Sequence, residues 1–457
     1  MMELLMVLIL LAVLSIIGMG LQQLFVKNTG AICKGSLGSA VFIGLGLLLH
    51  VMNALQYLDL PLAAIMVLIP FLVLGFKPTW YLLCGLGRTE LIAVGALVLL
   101  LVLDCVLLAP ELPLISWDSW LGWELKAKQW MAHGWSVNLL EGPQWLSEKA
   151  GIYSSTAHYP DGLPLIYFLF KSVVGENTAL MGYFYVLCFY IVALLLVIRL
   201  KEQGADTMFL VWSVLLLVSM PLLNNHIRLQ GYADIWMAMV LLLSVWALSD
   251  WNQNKTPVNL LRLVVFLSML PLFKIEGWVW LSLLLMAQIF SKLLIRRHRW
   301  YILFIVVLVA SIWFGGDNWS FSWSARTVVI SQDYLKVGSL FDLSLMPVDV
   351  STEIIAGLFL QNNWGLLWFF MPFVLSFWLL VKHPKHQQVT QTFFVLSFTA
   401  FLFLFFFTDA SKWAENYTAV NRIVLQLTPV FAYLVMQVFM TWQQKRVGEP
   451  TLEADCS

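Results

Sequence analysis

The sequence predicts an all-α polytopic membrane protein, and three observations predict it. Of 457 residues, 61% are hydrophobic and only 11% charged, whereas soluble globular domains carry about 25% charged residues. Apolar runs near the roughly 20 residues a span needs recur along the chain. Lysines and arginines gather in alternate loops, as cytoplasmic loops require.

Those runs give about thirteen transmembrane helices, near 3–25, 36–56, 59–76, 90–109, 178–198, 207–223, 233–249, 258–273, 277–294, 300–315, 356–381, 391–408 and 422–441. The first, "MMELLMVLILLAVLSIIGMG", lacks a basic leader and a small-residue cleavage site, and reads as a retained span. With its N-terminus outside, Lys27, Lys34, Lys77, Arg88, Arg199, Lys201, Arg262 and the "RRHR" cluster at 296–299 fall on the cytoplasmic side. The organisation follows: a four-span bundle over 1–109, an outward loop with interfacial helices over 110–177, a second bundle over 178–441, and a cytoplasmic tail over 442–457. Residues 316–355 also face outward. Net charge is zero, which argues against nucleic acid as a partner. Cys33, Cys84, Cys105, Cys188 and Cys456 are scattered, without metal or disulfide spacing. No internal repeat is visible, which weakens a transporter built on duplicated halves.

One outward stretch departs from this aliphatic background: "ISWDSWLGWELKAKQWMAHG", 115–134. Ser116 can cap a helix that Gly134 ends. On it Trp120, Trp123, Ala127 and Trp130 form one stripe, and indoles favour the membrane interface. Asp118, Gly122, Leu125, Lys126 and Gln129 then look away from lipid, with Gly122 leaving room for a ligand. The plainer alternative is an interfacial anchor with solvated charges. Asp118 fits it least, because an acid between Trp117 and Trp120 gains little from solvation, and such acids cluster at functional sites.

The same loop continues with "YSSTAHYPDGLPLIYFLF", 153–170, where His158, Tyr159 and Asp161 stand before an apolar run too short to span comfortably. They are candidate ligands or acid–base groups, or else a solvated turn. Three further sets lie at outward ends of spans: Arg228 and Asp234 in "NNHIRLQGYADIW", Lys274 and Glu276 in "LFKIEGW", and Arg422 in "NYTAVNRIVLQLTP". Charges near hydrocarbon are expensive and are usually paired or functional. Static pairs Lys274–Asp234 and Arg422–Glu276 are the structural expectation. A site assembled from these sets and Asp118 is the functional one.

A Trp-flanked Asp followed by "WELKAK", then "YPDGLPL", "GYAD", "KIEG" and "NRIVLQLTP" in that order resembles bacterial integral-membrane glycosyltransferases of the GT-C superfamily. These are relatives of the protein O-mannosyltransferases and the lipid A aminoarabinose transferases. The resemblance runs from Trp117 to Pro429. It implies a GT-C-like fold in a bacterial inner membrane, with the active site facing the periplasm and the C-terminus in the cytoplasm. It implies transfer of a sugar from a polyprenyl-phosphate carrier to a glycan, glycolipid or protein acceptor. The external-loop acid, here Asp118, is then the general base, with Asp161 the alternative. Arg228, Lys274 and Arg422 are the cations available to the donor phosphate, and Lys126 and Lys128 belong to the wider binding set. His158, Tyr159, Asp234, Glu276, Trp117 and Trp120 complete the binding set. The acidic loop follows the fourth span here, not the first as in that superfamily. No D-x-D or E-x-D pair stands in the outward loops, so no metal ligand is assigned, although the resemblance leaves a divalent metal open. A polysaccharide polymerase or ligase would use a related lipid-linked donor. A lipid or solute transporter would need more charge at mid-span than Asp104 and its few companions supply.

Overall fold

The structure is a computed structural model that describes residues 2–26, 35–56, 61–84, 116–148, 151–174, 179–295, 319–323, 326–330, 334–337, 341–345, 347–380, 385–417 and 419–447. The expected spans at 90–109 and 300–315, the "RRHR" cluster and most of the C-terminal tail lie outside them. The chain divides into two compact units, Met1–Leu281 with Val435–Ser457, and Ser282–Leu434.

The first unit opens with α1 (Met2–Gln23), α2 (Gly35–Gln56) and α3 (Pro61–Cys84). Their backbones touch. A Cβ on Gly18 would stand 1.9 Å from the Ala40 carbonyl oxygen, and one on Gly44 2.0 Å from that of Leu14. Such close approach is how helices associate in an apolar solvent, where van der Waals packing replaces hydrophobic drive.

The segment that follows Ser116 holds a π-helical turn (Ser119–Trp123), α4 (Glu124–His133), β1 (Leu139–Leu140), α5 (Gly142–Glu148), β2 (Ile152–Tyr153) and α6 (Gly162–Val174). β1 and β2 pair in parallel, Leu139 with Ile152. Next come α7 (Ala179–Glu202), α8 (Thr207–Val218), α9 (Pro221–Arg228), α10 (Ala233–Gln253), α11 (Pro257–Phe273) and α12 (Glu276–Ile295). α10 is apolar on all sides and is buried from Ala233 to Ser249, as such a helix must be. The apolar run expected as one span near 207–223 is two helices bent by 65°. Pro221 supplies no N–H and holds Met220 extended at φ −70°, ψ 116°, so the helix stops and restarts.

The second unit adds a small sheet to the helical frame. Part of segment 316–355, expected to face outward, is an antiparallel meander of β3 (Trp319–Trp323), β4 (Arg326–Ile330), β5 (Tyr334–Val337) and β6 (Phe341–Ser344). Trp319 pairs with Ile330, and Trp323 with Arg326. After it come α13 (Ser351–Ile355), a second π turn (Ala356–Leu360), a 3-10 turn (Leu367–Phe370), α14 (Met371–Leu380), α15 (Lys385–Phe407), α16 (Ser411–Glu415) and α17 (Val420–Val447). The span expected over 356–381 is therefore broken, with Gly365 in a left-handed conformation at φ 53° in the break. Stacked rings hold this unit's core, with Phe431 4.6 Å from Trp368 and 4.7 Å from Phe394.

Among the described residues six helices are long and apolar enough to cross a membrane: α1, α2, α7, α10, α15 and α17. The bent pair α8–α9 makes a seventh if it counts as one span. This is a helical membrane protein.

Candidate functional site

Four of the singled-out stretches meet in the first unit. The meeting begins at Ser116, whose hydroxyl donates to the Gln230 carbonyl oxygen at 2.8 Å. Three residues on, the Ser119 and Tyr167 hydroxyls pair at 3.1 Å. Burial pushes the Tyr167 phenol up beyond its ordinary range, against the pull of the Ser119 hydrogen bond. It stays neutral. Gly231 makes the approach possible: it sits at φ 108°, and a Cβ there would lie 2.3 Å from Ser119 Cβ and 2.4 Å from Ser116 Oγ. Only glycine tolerates both the angle and the contact. The third stretch docks through Gly162, where a Cβ would be 2.5 Å from the Leu272 carbonyl oxygen, two residues before Lys274.

Asp118, half-buried, immediately precedes the π turn. Such turns insert an extra residue into a helix and recur at functional sites. This one divides the tryptophans. Trp117 and Trp120 are 62% and 48% exposed and meet edge to face at 5.2 Å. Trp123, Ala127 and Trp130 are buried, with Trp123 against Tyr159 and Trp130 against Phe168. The expected interfacial stripe is thus split. Its larger part is a packing face against protein, because the π turn shifts the helical phase between Trp120 and Trp123. The room expected beside Gly122 is taken by Thr156, whose methyl would stand 3.1 Å from an added Cβ.

Lys126 is buried. Its ammonium donates to the carbonyl oxygens of Tyr159 at 2.7 Å and Ala157 at 3.2 Å, and lies 2.5 Å from Asp161 Oδ1. Two carbonyls and a carboxylate thus surround the ammonium, which clamps the 157–161 turn. The same contact holds the Asp161 carboxylate. Lys128 is the more exposed lysine and pairs with Glu124 at 3.1 Å. His158 pairs with Glu141 at the edge of an open cleft of about 370 Å³ lined by Leu139, Glu141, Gln144, Ala157 and His158.

Asp234 opens α10 fully buried. Lys274 Nζ lies 2.9 Å from Asp234 Oδ1 and 2.9 Å from Glu276 Oε1. The expected Lys274–Asp234 pair is present. Glu276 meets the same Lys274, its neighbour across the extended break at Lys274 (φ −152°, ψ 155°). Arg228 is half-buried in the last turn of α9, and Arg422, also half-buried, belongs to the second unit. The sequence reading missed the buried pair of Glu124 and Lys171, 2.9 Å apart. The signal was available: Lys171 is the one charge in the apolar helix "GLPLIYFLFKSVV", and a buried lysine needs a partner. Among the described residues no three His, Cys, Asp or Glu side chains converge as a metal would require. Compared with known proteins, the chain matches no family model, no curated protein and no solved structure, so its function has to be read from these residues.

Proposed function

We propose that this chain is an integral-membrane glycosyltransferase of GT-C type. It moves a sugar from a polyprenyl-phosphate carrier to an acceptor hydroxyl at the periplasmic face of a bacterial inner membrane. One observation carries the reading. The turn that bears Asp118 is fastened through Ser116 and Gly231 to the loop that enters the enclosed Asp234–Lys274 pair. A carboxylate carried on a turn anchored in this way suits a general base.

The chemistry asked of it is modest. A sugar hydroxyl attacks poorly until a positioned group accepts its proton, and such a base contributes about 10²–10⁴-fold. Asp118 is favoured over Asp161 because the anchored turn that carries it fixes its direction. As the carrier's phosphate leaves, negative charge develops on its oxygens and fixed cations stabilise it. Arg228, half-buried beside the 230–234 loop, and Lys274 are the cations of this unit proposed for that part. The exposed rings of Trp117 and Trp120 suit a sugar face or the membrane interface. With one base and no second nucleophile assigned, a single displacement with inversion follows.

The test mixes purified wild type or Asp118→Asn with a panel of polyprenyl-phosphate monosaccharides and a crude lipid acceptor extract. Mass spectrometry follows release of free polyprenyl phosphate. The expected result is release from one donor by wild type and a loss of about 10²–10⁴-fold in the variant. Full activity in a folded Asp118→Asn protein removes the centre of the proposal. No release from any donor, with thermal stabilisation by a lipid-linked oligosaccharide, moves the reading to a polymerase or ligase.

A further inference from the structure

Between the two anchored stretches sits a side chain that neither the ion pairs nor the hydroxyl bonds use. Gln230 is 3% exposed. Its backbone carbonyl accepts the Ser116 hydroxyl, and the residue after it packs on Ser116 and Ser119. The next carbonyl, that of Tyr232, accepts from the Tyr185 hydroxyl at 3.4 Å. The backbone around Gln230 is therefore fixed. Its carboxamide is not: neither Nε2 nor Oε1 has a hydrogen-bond partner among the described residues.

A buried amide with both ends idle is expensive, and an apolar residue of the same size would avoid the penalty. Native proteins leave few such groups, and each calls for an explanation. The amide's own chemistry narrows the explanation. It offers a donor and an acceptor side by side. A phosphate or carboxylate only accepts, and would leave Oε1 unsatisfied. Adjacent hydroxyls of a neutral sugar both donate and accept, and would satisfy both ends.

We infer that Gln230 is a specificity-determining residue that reads a pair of hydroxyls on the transferred sugar. The inference rests on the sugar-transfer reading for the ligand it names. It assigns the sugar, not the carrier phosphate, to the junction between the Asp118 turn and the 230–234 loop. A site built to hydrogen-bond a hydroxyl discriminates strongly, because a ligand lacking that hydroxyl leaves the buried group unpaired.

The experiment uses the full chain in lipid nanodiscs and calorimetric binding of two probes, a panel of polyprenyl-phosphate monosaccharides and bare polyprenyl phosphate. Wild type is expected to prefer one sugar-bearing carrier to the bare one by roughly tenfold or more. Gln230→Leu is expected to bind the bare carrier as wild type does and to lose that preference, with an unchanged or higher melting temperature. Gln230→Glu, of the same size but without the donor, should lose part of it and decides the matter if the leucine variant does not fold. A preference retained in both variants overturns the inference, and so does a wild type that binds both probes equally. A higher melting temperature with the preference intact would mean that the amide holds only a buried water. Asp118→Asn separates this idea from the parent reading. Sugar preference that depends on Gln230 without turnover in wild type would sink the transfer reading alone.

Discussion

α10 carries an ion pair at each end, and exposure separates the two. At its start Asp234 meets Lys274 at 2.9 Å, and near its close Asp250 meets Arg199 at 2.8 Å. Each joins an aspartate to a cation at nearly the same distance, but exposure differs. The Asp234 side chain is 0% exposed, whereas that of Asp250 is 29% exposed, and the Arg199 guanidinium also lies 5.7 Å over the Trp246 ring. An open pair with its face on an indole is ordinary architecture for a helix end. An enclosed pair is not, because desolvating both charges cancels much of their attraction and well-packed apolar residues often do as well. Stability alone gives little reason to place Asp234 and Lys274 there. That the enclosed pair lies at the end reached by the Asp118 turn, and the open pair at the other, is the asymmetry a one-sided site would need.

The largest effect should come from leaving the enclosed acid unpaired. Lys274→Met is expected to destabilise the protein by about 3–5 kcal/mol, the range for breaking a buried pair by removing one partner. Thermal unfolding in detergent reads this. Adding Asp234→Asn to that variant should recover much of the loss, since the uncompensated charge is gone, and the double-mutant cycle gives the coupling directly. If Lys274→Met melts no lower than the matching variant at the open pair, the contrast between the two ends fails.

A smaller effect tests whether the Asp118 turn really depends on its dock. Gly231→Ala forces a Cβ within 2.3 Å of Ser119 Cβ at a backbone angle of φ 108°. Overpacking of this kind costs about 1–3 kcal/mol. Beyond that cost, turnover should fall further than the same loss of stability would produce elsewhere, for instance in a variant at the open pair. Equal turnover at equal stability would mean that the dock is scaffolding without a part in the site.

The helices were far more legible than the contacts between them. The spans at α1, α2, α7, α10, α15 and α17 are long apolar runs, and a bilayer leaves such runs few other conformations. The β meander was missed although "WSFSW" alternates aromatic and serine with period two, because short alternating runs are hard to separate from loop once a helical membrane frame is assumed. The Lys274–Asp234 pair was legible because both charges stand at span ends expected on one side. Lys126 was not. In sequence it belongs with Lys128 in "KAK", and only tertiary packing buries one and leaves the other nearly half exposed. The π turn was invisible for a related reason. It shifts the phase of the Trp spacing without any residue that demands it, so Trp123 and Trp130 read as lipid-facing when they face Tyr159 and Phe168. The idle amide of Gln230 could not be foreseen either, since a lone glutamine in a loop carries no sign of its burial.

The smallest effect is the one that sharpens the comparison most. Arg199→Met removes the cation of the more open pair, yet Asp250, 29% exposed, keeps access to water, so the loss should fall below that of Lys274→Met and toward the roughly 1 kcal/mol of exposed pairs. Part of even that belongs to the lost cation–π contact, because the long methionine side chain can still cover Trp246. Raising salt should shrink the difference between wild type and Arg199→Met, since exposed charges are screened. The Lys274→Met deficit should barely move under the same salt, because no solvent ion reaches Asp234. Measuring both variants across one salt series thus separates the ends of α10 by screening as well as by magnitude. A salt-sensitive Lys274→Met deficit would place Asp234 in contact with water and remove the reason to treat that end as an enclosed site.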